Sequence, residues 1–249
     1  MSRTRSPKQS MNARRRPAKP GKAGGRAVKA MRQKGVSTNT KITVGLLIAV
    51  LAGLAALFIF VERDIGSQDA AERLVRPESH LLSQAAGEEG VTLVEFLDFE
   101  CPGCAAVYPA IERLRQEYEG QITFVPRHFP LDIHPNAENA ALAAEAASNQ
   151  GKFAEMYAKL FETQAEWANA QGDQTATFER YADELGLDVA RFRDDLADPD
   201  TARRVRNDQN DGVALGVSGT PTFFLNGERY DGPPTYDGLR TAIDKALAQ

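Results

Sequence analysis

The sequence is short of cysteine, tryptophan and histidine: 249 residues hold two, one and three of them. A scaffold stapled by several disulfides is therefore excluded, as is a zinc site built from two CxxC pairs, because Cys101 and Cys104 are the only thiols. Charge is missing region by region. Residues 1–41 carry 13 Lys/Arg and no Asp or Glu, and residues 42–61 carry no charge. Residues 62–249 carry 17 Lys/Arg and all 34 Asp/Glu. The net charge of −4 thus hides a basic start and an acidic body. That layout excludes one uniform globule, and an acidic body excludes a mainly nucleic-acid-binding one. No internal repeat is present. Residues 62–249 suffice for one domain with a sizeable core.

The uncharged run Ile42–Val61, ITVGLLIAVLAGLAALFIFV, has the length of a membrane-spanning helix, since 20 residues at about 1.5 Å each cover the roughly 30 Å hydrocarbon layer. A cleaved signal peptide fits less well: its apolar core is shorter and its basic leader brief. Here 41 residues precede the run, and Glu62-Arg63-Asp64 follows with no small-residue cleavage pattern. The basic leader keeps the N-terminus in the cytoplasm and puts the acidic body outside. The expected layout is a disordered basic cytoplasmic tail (1–41), a transmembrane helix (42–61), a linker (62–78) and a folded domain (79–249). The tail could bind anionic lipid or nucleic acid, but without aromatic residues to stack on bases its simpler role is topology and solubility.

Within the body, Val91–Phe99 (VTLVEFLDF) reads as a buried strand. Residues 102–119 turn helical, with Val107, Ile111, Leu114 and Tyr118 on one face, until Gly120. Pro109 lies inside that helix and should kink it. Gln121–Phe129 is a second strand. From about 135 to 215 the pattern is helical: an alanine stripe from Ala137 to Ala147, then Phe153, Met156, Tyr157, Leu160 and Phe161 at i, i+3, i+4, i+7, i+8. Phe178, Tyr181, Ala182 and Leu185 repeat the spacing, and Asp188 and Thr201 suit N-caps. Trp167 belongs to this block, in its core or in a groove wall. Strand character returns at Pro221–Leu225, Asn226-Gly227 signals a hairpin to Glu228–Tyr230, and a helix with Leu239, Ile243 and Leu247 on one side ends the chain. This is an α/β sheet layout with an all-helical insertion.

Cys101-Pro102-Gly103-Cys104 falls where a strand ends and a helix begins. As a disulfide staple the pair would close only a minimal loop, which stabilises little. As a zinc site it would need two more ligands, and His80, His128 and His134 are the only remaining soft donors. As a redox dithiol the placement makes sense. Pro102 suits the first helical position, the helix N-terminus stabilises a Cys101 thiolate, and Cys104, one turn on, can attack a mixed disulfide held by Cys101. A second feature is Gly219-Thr220-Pro221-Thr222-Phe223-Phe224. A proline opening a strand is either an ordinary trans initiator or a cis turn that presents the Thr220 backbone to an extended substrate facing Cys101.

Together these motifs resemble the thioredoxin superfamily, in particular its DsbA-like, membrane-anchored bacterial branch. The stretches FLDFECPGC, RHFPLDIHPNA, QGKFAEMYAKLF and GVSGTPTFFLNG carry the likeness, over roughly residues 78–247. The resemblance implies a thioredoxin fold with an inserted helical subdomain, a nucleophilic Cys101, a buried resolving Cys104, a cis Pro221 and, at Glu95, a buried carboxylate that moves protons to and from Cys104. Strand alternation puts Glu95 beside Leu97 on one face, among apolar residues that would raise its pKa. Pro102-Gly103 departs from the His-containing dipeptide of the strongest oxidases in that branch. Glu100 and Asp98 beside Cys101 should disfavour a thiolate, so Cys101 is expected to be less acidic than the likeness implies. His128 and His134 are expected to be structural. Phe99, Phe129, Phe223 and Phe224 are expected in the core or in an apolar rim around Cys101.

The expected function is that of a membrane-anchored, extracytoplasmic thiol–disulfide oxidoreductase acting on the thiols and disulfides of exported proteins, with introduction of disulfides the favoured direction. A membrane redox partner would recycle it, and no metal, organic cofactor or nucleic acid is required. The rivals are a reductase or isomerase for a dedicated client, and a tethered redox-sensing or binding module without turnover.

Overall fold

The computed structural model describes residues 46–47, 50–58, 68–87 and 90–248. The chain divides into two units, residues 1–55 and 56–249. The apolar run 42–61 is helical where described, at 46–47 and 50–58, with Leu46, Leu47, Val50, Leu51, Leu54, Leu57 and Phe58 exposed. Among the described residues no helix is long and apolar enough to cross a membrane. The ends of the expected span, the tail 1–41 and residues 62–67 lie outside the described residues.

The larger unit is built on a four-stranded sheet in the order β2-β1-β3-β4. The strands are β1 (Val91–Leu97), β2 (Ile122–His128), β3 (Thr222–Leu225) and β4 (Glu228–Tyr230). β2 runs parallel to β1, while β3 and β4 are antiparallel to their neighbours. Helix α1 (Pro102–Glu117), with Pro109 inside it, makes the crossover that parallel strands need. Between β2 and β3 stand α2 (Ala137–Ser148), α3 (Phe153–Glu162), α4 (Gln164–Trp167), α5 (Thr175–Glu184), α6 (Val189–Ala197) and α7 (Pro199–Ala214); α8 (Tyr236–Leu247) closes the chain. Asn226 and Gly227 both have positive φ (49° and 88°), as a two-residue type I′ hairpin demands.

Strand alternation sorts the core into two faces. Leu93 and Leu97 of β1 join Val107, Ile111 and Leu114 of α1, Leu239 and Ile243 of α8, and the alanine and aromatic faces of the insertion. Val94 and Phe96 face the other way, toward Leu74, Val125, Phe129, Val217 and Phe224. All four phenylalanines expected in the core or rim are core: none of Phe99, Phe129, Phe223 and Phe224 is more than 5% exposed. α7 approaches this second face closely. A Cβ on its Gly212 would stand 2.7 Å from the Phe129 ring and 3.0 Å from Phe96, so only glycine fits.

Two local expectations are corrected. Thr201 does not cap a helix: α7 begins at Pro199, and the Asp198 side chain accepts from the Asp200 amide at 2.8 Å. Proline at the first helical position moves the start upstream and leaves Thr201 buried in the first turn. Residues 68–78 are not a free linker. Arg127, fully buried, donates to the carbonyls of Arg73 and Leu74 at 2.5 and 2.6 Å and to Asp208 and Asp211 at 2.8 Å each, while Arg76 clasps Asp211. A buried guanidinium must spend its donors on partners, and here some of those partners are the backbone of 73–74.

The histidines expected to be structural are held inside. His128, at the end of edge strand β2, and His80 both pair with Glu145 Oε1 of α2, at 2.7 and 2.8 Å. His80 also stacks on Phe153. Burial opposes ionisation of Glu145, but the hydrogen bonds from His128 and His80 outweigh it and hold the carboxyl below its ordinary range. Because the folded pKa is depressed, this contribution to stability is present above the unfolded value of about 4.3 and fades on acidification. Replacing Glu145 by Ala strands two imidazole N–H groups, and is expected to cost about 2–4 kcal/mol near neutral pH, read from denaturant unfolding. A cost below about 0.5 kcal/mol would show the triad to be passive.

Candidate active site

The chain enters the site through β1, whose last residues lead directly into Cys101 as the N-cap of α1. No side chain caps this helix, so its first amides face the Cys101 sulfur. Both cysteines are free, Cys101 7% exposed and Cys104 fully buried. Across from them the Thr220–Pro221 peptide is cis, and the Cys101 Sγ lies 3.4 Å from the Thr220 carbonyl. A Cβ on Gly103 would sit 3.3 Å from Pro221 Cδ and 3.5 Å from Cys101 Sγ. The Pro102-Gly103 dipeptide therefore brings the two loops nearly into contact, where a larger residue would push into the cleft.

The two thiols are driven apart electrostatically. A hydrogen bond from Cys104 is the main reason the Cys101 pKa falls to about 5; Thr220 and the amides of Cys104 and Gly103 add to it, against the opposing effect of burial. Burial pushes Cys104 well above the ordinary thiol range, and donating to Cys101 and the Glu95 charge push it further. Glu95 lies on the same sheet face as Leu97, 1% exposed. Burial, then the Cys101 and Glu112 charges, raise its carboxyl well above the usual range.

The expectation that acidic neighbours would make Cys101 less acidic is overturned. Glu100 is fully buried and turned away, accepting from the Asn136 amide at 2.5 Å and the Asn169 amide at 2.6 Å. Asp98 accepts from the Glu100 amide at 2.8 Å, the Leu131 amide at 3.0 Å and His134 Nδ1 at 2.6 Å. Both carboxyls are committed to loops of the insertion, so the nearest influences on Cys101 are hydrogen-bond donors.

Other contacts had no sequence signal. Gln164 of α4 donates to the carbonyls of Phe99 and Cys101 at 2.7 and 3.0 Å, tying the strand end to the insertion. Asn136 donates to the carbonyls of Trp167 and Ala170 as well as to Glu100. Trp167 is fully buried, its indole N–H on the Leu160 carbonyl, and belongs to the insertion's core.

One cluster could hold a metal by composition: His80, His128 and Glu145, with donor atoms within 4.8 Å of one another. The fit is poor. Both nitrogens stand at hydrogen-bond distance from one carboxylate oxygen, and the buried Nδ1 of His128 has no partner among the described residues, whereas a metal-bound imidazole donates its other N–H to an orienting acceptor.

Fold and site together define a thioredoxin-fold protein with a pair of thiols at the start of a helix, facing a cis-proline loop. The chain belongs to the thioredoxin family, whose profile, described as "Thioredoxin", matches residues 85–245. A thioredoxin-like oxidoreductase from Silicibacter pomeroyi is 26% identical and superposes with a TM-score of 0.60, over 72% of this chain and 98% of that one. Alpha-DsbA1 from Wolbachia pipientis shares the fold at 21% identity and a TM-score of 0.63, over 73% of this chain and 96% of its own. BdbD from Bacillus subtilis does so at 21% and 0.58, over 67% and 92%. Among curated proteins, the Na(+)/H(+) antiporter NhaA 3 of Salinispora tropica is 44% identical over 162 residues, which are 65% of this chain and 24% of that protein. The chain thus spans about a quarter of that relative's length.

Alkylation of Cys101 is expected to titrate with a midpoint near pH 5. Glu100→Gln should leave that midpoint in place while lowering stability by about 1.5–3 kcal/mol, because a buried charged acceptor of backbone N–H groups is lost. A midpoint near that of an ordinary thiol, or one that moves by a full unit in Glu100→Gln, contradicts the assignment.

Proposed function

We propose that this protein is a membrane-anchored, extracytoplasmic oxidoreductase that introduces disulfides into exported proteins through Cys101 and Cys104. The observation that carries the reading is the low pKa of Cys101 opposite the Thr220–Pro221 peptide. A thiolate stabilised at about pH 5 favours the reduced enzyme, so the oxidised enzyme is a strong acceptor of electrons.

The chemistry runs in two exchanges. A client thiolate attacks Cys101 Sγ of the oxidised enzyme. The Cys101–Cys104 bond breaks, a client–Cys101 mixed disulfide forms, and Cys104 leaves with the electron pair. Cys104 is buried and its thiolate costly, so it takes a proton from Glu95, the buried acid on the same side of the sheet. A second client thiolate attacks the client sulfur of the mixed disulfide. The client leaves oxidised, and Cys101 departs as the thiolate that Cys104 and the amides of Cys104 and Gly103 already favour. Read backwards, the same steps reduce a client, with Glu95 taking the Cys104 proton as Cys104 attacks.

In this reading Thr220 and Pro221 present backbone to an extended client segment beside Cys101, Pro102 and Gly103 shape the cleft, and no metal or organic cofactor enters. Anchoring rests on the uncharged run Ile42–Val61 and on the basic segment before it. The recycling oxidant would then be a membrane redox partner.

Cys104→Ser cannot resolve a mixed disulfide and should accumulate covalent adducts with exported proteins; none forming under oxidising export would remove the catalytic reading. An equilibrium potential against glutathione well above the roughly −180 to −210 mV poise of an oxidising compartment marks an oxidase. A value near −270 mV marks a reductase instead. Topology has its own readout: a membrane-impermeant maleimide should label reduced Cys101 in intact cells, and labelling only after lysis would put the domain on the cytoplasmic side.

A further inference from the structure

Tyr157 of α3 is 1% exposed, and its hydroxyl is buried with no hydrogen-bond partner among the described residues. A buried hydroxyl left unpaired costs stability, and phenylalanine would fill the same space without that cost. Such a group calls for an explanation. Its ring packs edge-on against Phe99, with centroids 5.9 Å apart, and against Tyr108 and Phe161 at 5.7 and 5.2 Å. It therefore sits over the strand end that carries Cys101, in the cluster that buries both cysteines.

Glu95 has the complementary need. Its carboxyl is buried, and no hydrogen bond reaches it from the described residues. While it keeps its proton it tolerates this. Once it has given its proton to Cys104 it becomes an acceptor-only anion in an apolar cluster, and it then requires a donor. The titratable groups around the pair are Cys101, Cys104, Tyr108, Glu112 and Arg115 of α1 and His128 of β2. Of the donors among them, Tyr108 donates to Glu162, the Arg115 Nη atoms to Glu112 and the Leu82 carbonyl, and His128 Nε2 pairs with Glu145; Arg115 Nε and His128 Nδ1, like the Tyr157 hydroxyl, have no partner among the described residues. Tyr157 lies in the buried cluster on the Leu93 and Leu97 face of β1, the face that also carries Glu95; burial first, and the Glu95 charge next, push its pKa well up, so its proton stays on oxygen and available to donate.

We propose that Tyr157, presented by the helical insertion, is the positioning residue that donates a hydrogen bond to Glu95 in its ionised state and so sets the pH at which Glu95 exchanges a proton with Cys104. This rests on the relay role given to Glu95 above. Tyr157 itself neither gains nor loses a proton: Glu95 and Cys104 exchange one, and the hydroxyl stabilises the carboxylate side of that exchange. The consequence is that the inserted subdomain supplies part of the proton chemistry of the sheet-borne site.

Tyr157→Phe separates this role from packing. Removing an unpartnered hydroxyl should leave the unfolding midpoint unchanged or raised. The rate at which Cys104 resolves a preformed mixed disulfide on Cys101 should fall about tenfold at neutral pH, and its pH midpoint should move up by about one unit, since the Glu95 carboxylate loses its donor. Glu95→Gln combined with Tyr157→Phe should be no slower than Glu95→Gln alone. Should Tyr157→Phe disturb the fold, 3-fluorotyrosine at 157 keeps the shape and is a stronger donor; it should move the midpoint down. If Glu95→Gln slows resolution but neither change at 157 moves the midpoint, Tyr157 is a packing residue and the inference falls. If Glu95→Gln itself leaves the pH profile unchanged, the relay reading falls and takes this proposal with it.

Discussion

The site depends on the pairing of two sulfurs, Cys101 at the first turn of α1 and the buried Cys104 one turn inward. It is the largest influence lowering the Cys101 pKa and one of those raising that of Cys104. The asymmetry comes from depth. Cys101 occupies the N-cap, where unpaired amides point at it and solvent still reaches it, whereas Cys104 is one turn inward with nothing exposed. A charge on the outer sulfur is stabilised by helix amides and a neighbouring S–H; a charge on the inner one would be desolvated and would face Glu95. Two chemically identical side chains thereby acquire opposite preferences from a separation of three residues.

The negative side chains nearest to Cys101 in sequence are engaged elsewhere. Glu100 and Asp98 flank the cysteines along the chain, and left free they would oppose a thiolate. The insertion holds them through the Asn136 and Asn169 amides, the Leu131 amide and His134, while Gln164 grips the carbonyls of Phe99 and Cys101. The helical subdomain is thus more than a lid beside a thioredoxin sheet. It fixes the strand-to-helix corner from behind and turns two unfavourable charges into anchors. The insertion is itself tied to the sheet by buried ionic groups, Glu145 with His80 and His128, and Asp208 and Asp211 with Arg127. Pairs of this kind specify one arrangement because any displacement leaves a buried charge uncompensated.

Much of this was legible in the sequence, and the pattern of what was not has a physical cause. Strand and helix positions follow from periodicity: the face Val107, Ile111, Leu114 and Tyr118 is the buried face of α1, and Asn226-Gly227 is the hairpin turn it signals. The thiol pair and the threonine–proline pair lie 119 residues apart from Cys101 to Thr220, yet local chemistry named both ends before the fold brought them within 3.4 Å. What failed was electrostatics read from adjacency. Glu100 is next to Cys101 along the chain, but an N-cap residue and its predecessor point in different directions, and proximity in sequence says nothing about the partner a side chain finds. Gln164 and Asn136 were invisible as site residues for the same reason. Each lies on a separate helix or loop of the insertion, and only packing decides which of its polar atoms reaches the corner. The docking of residues 68–78 was hidden likewise, because its anchor, Arg127, reads as an ordinary basic residue within a strand.

The proposed direction of electron flow rests on which redox state these interactions serve. Once Cys101 and Cys104 are joined, Cys104 has no S–H to donate, and the helix amides and Thr220 face a neutral sulfur. The contacts that draw the Cys101 pKa down to about 5 therefore belong to the reduced dithiol. They lower its energy without matching gain in the disulfide, which is the condition for an oxidant. The Pro102-Gly103 dipeptide contributes amides and closeness to Pro221 rather than a charged side chain. The thiolate is thus stabilised by backbone and by its own partner thiol, a solution that needs no cation between the cysteines.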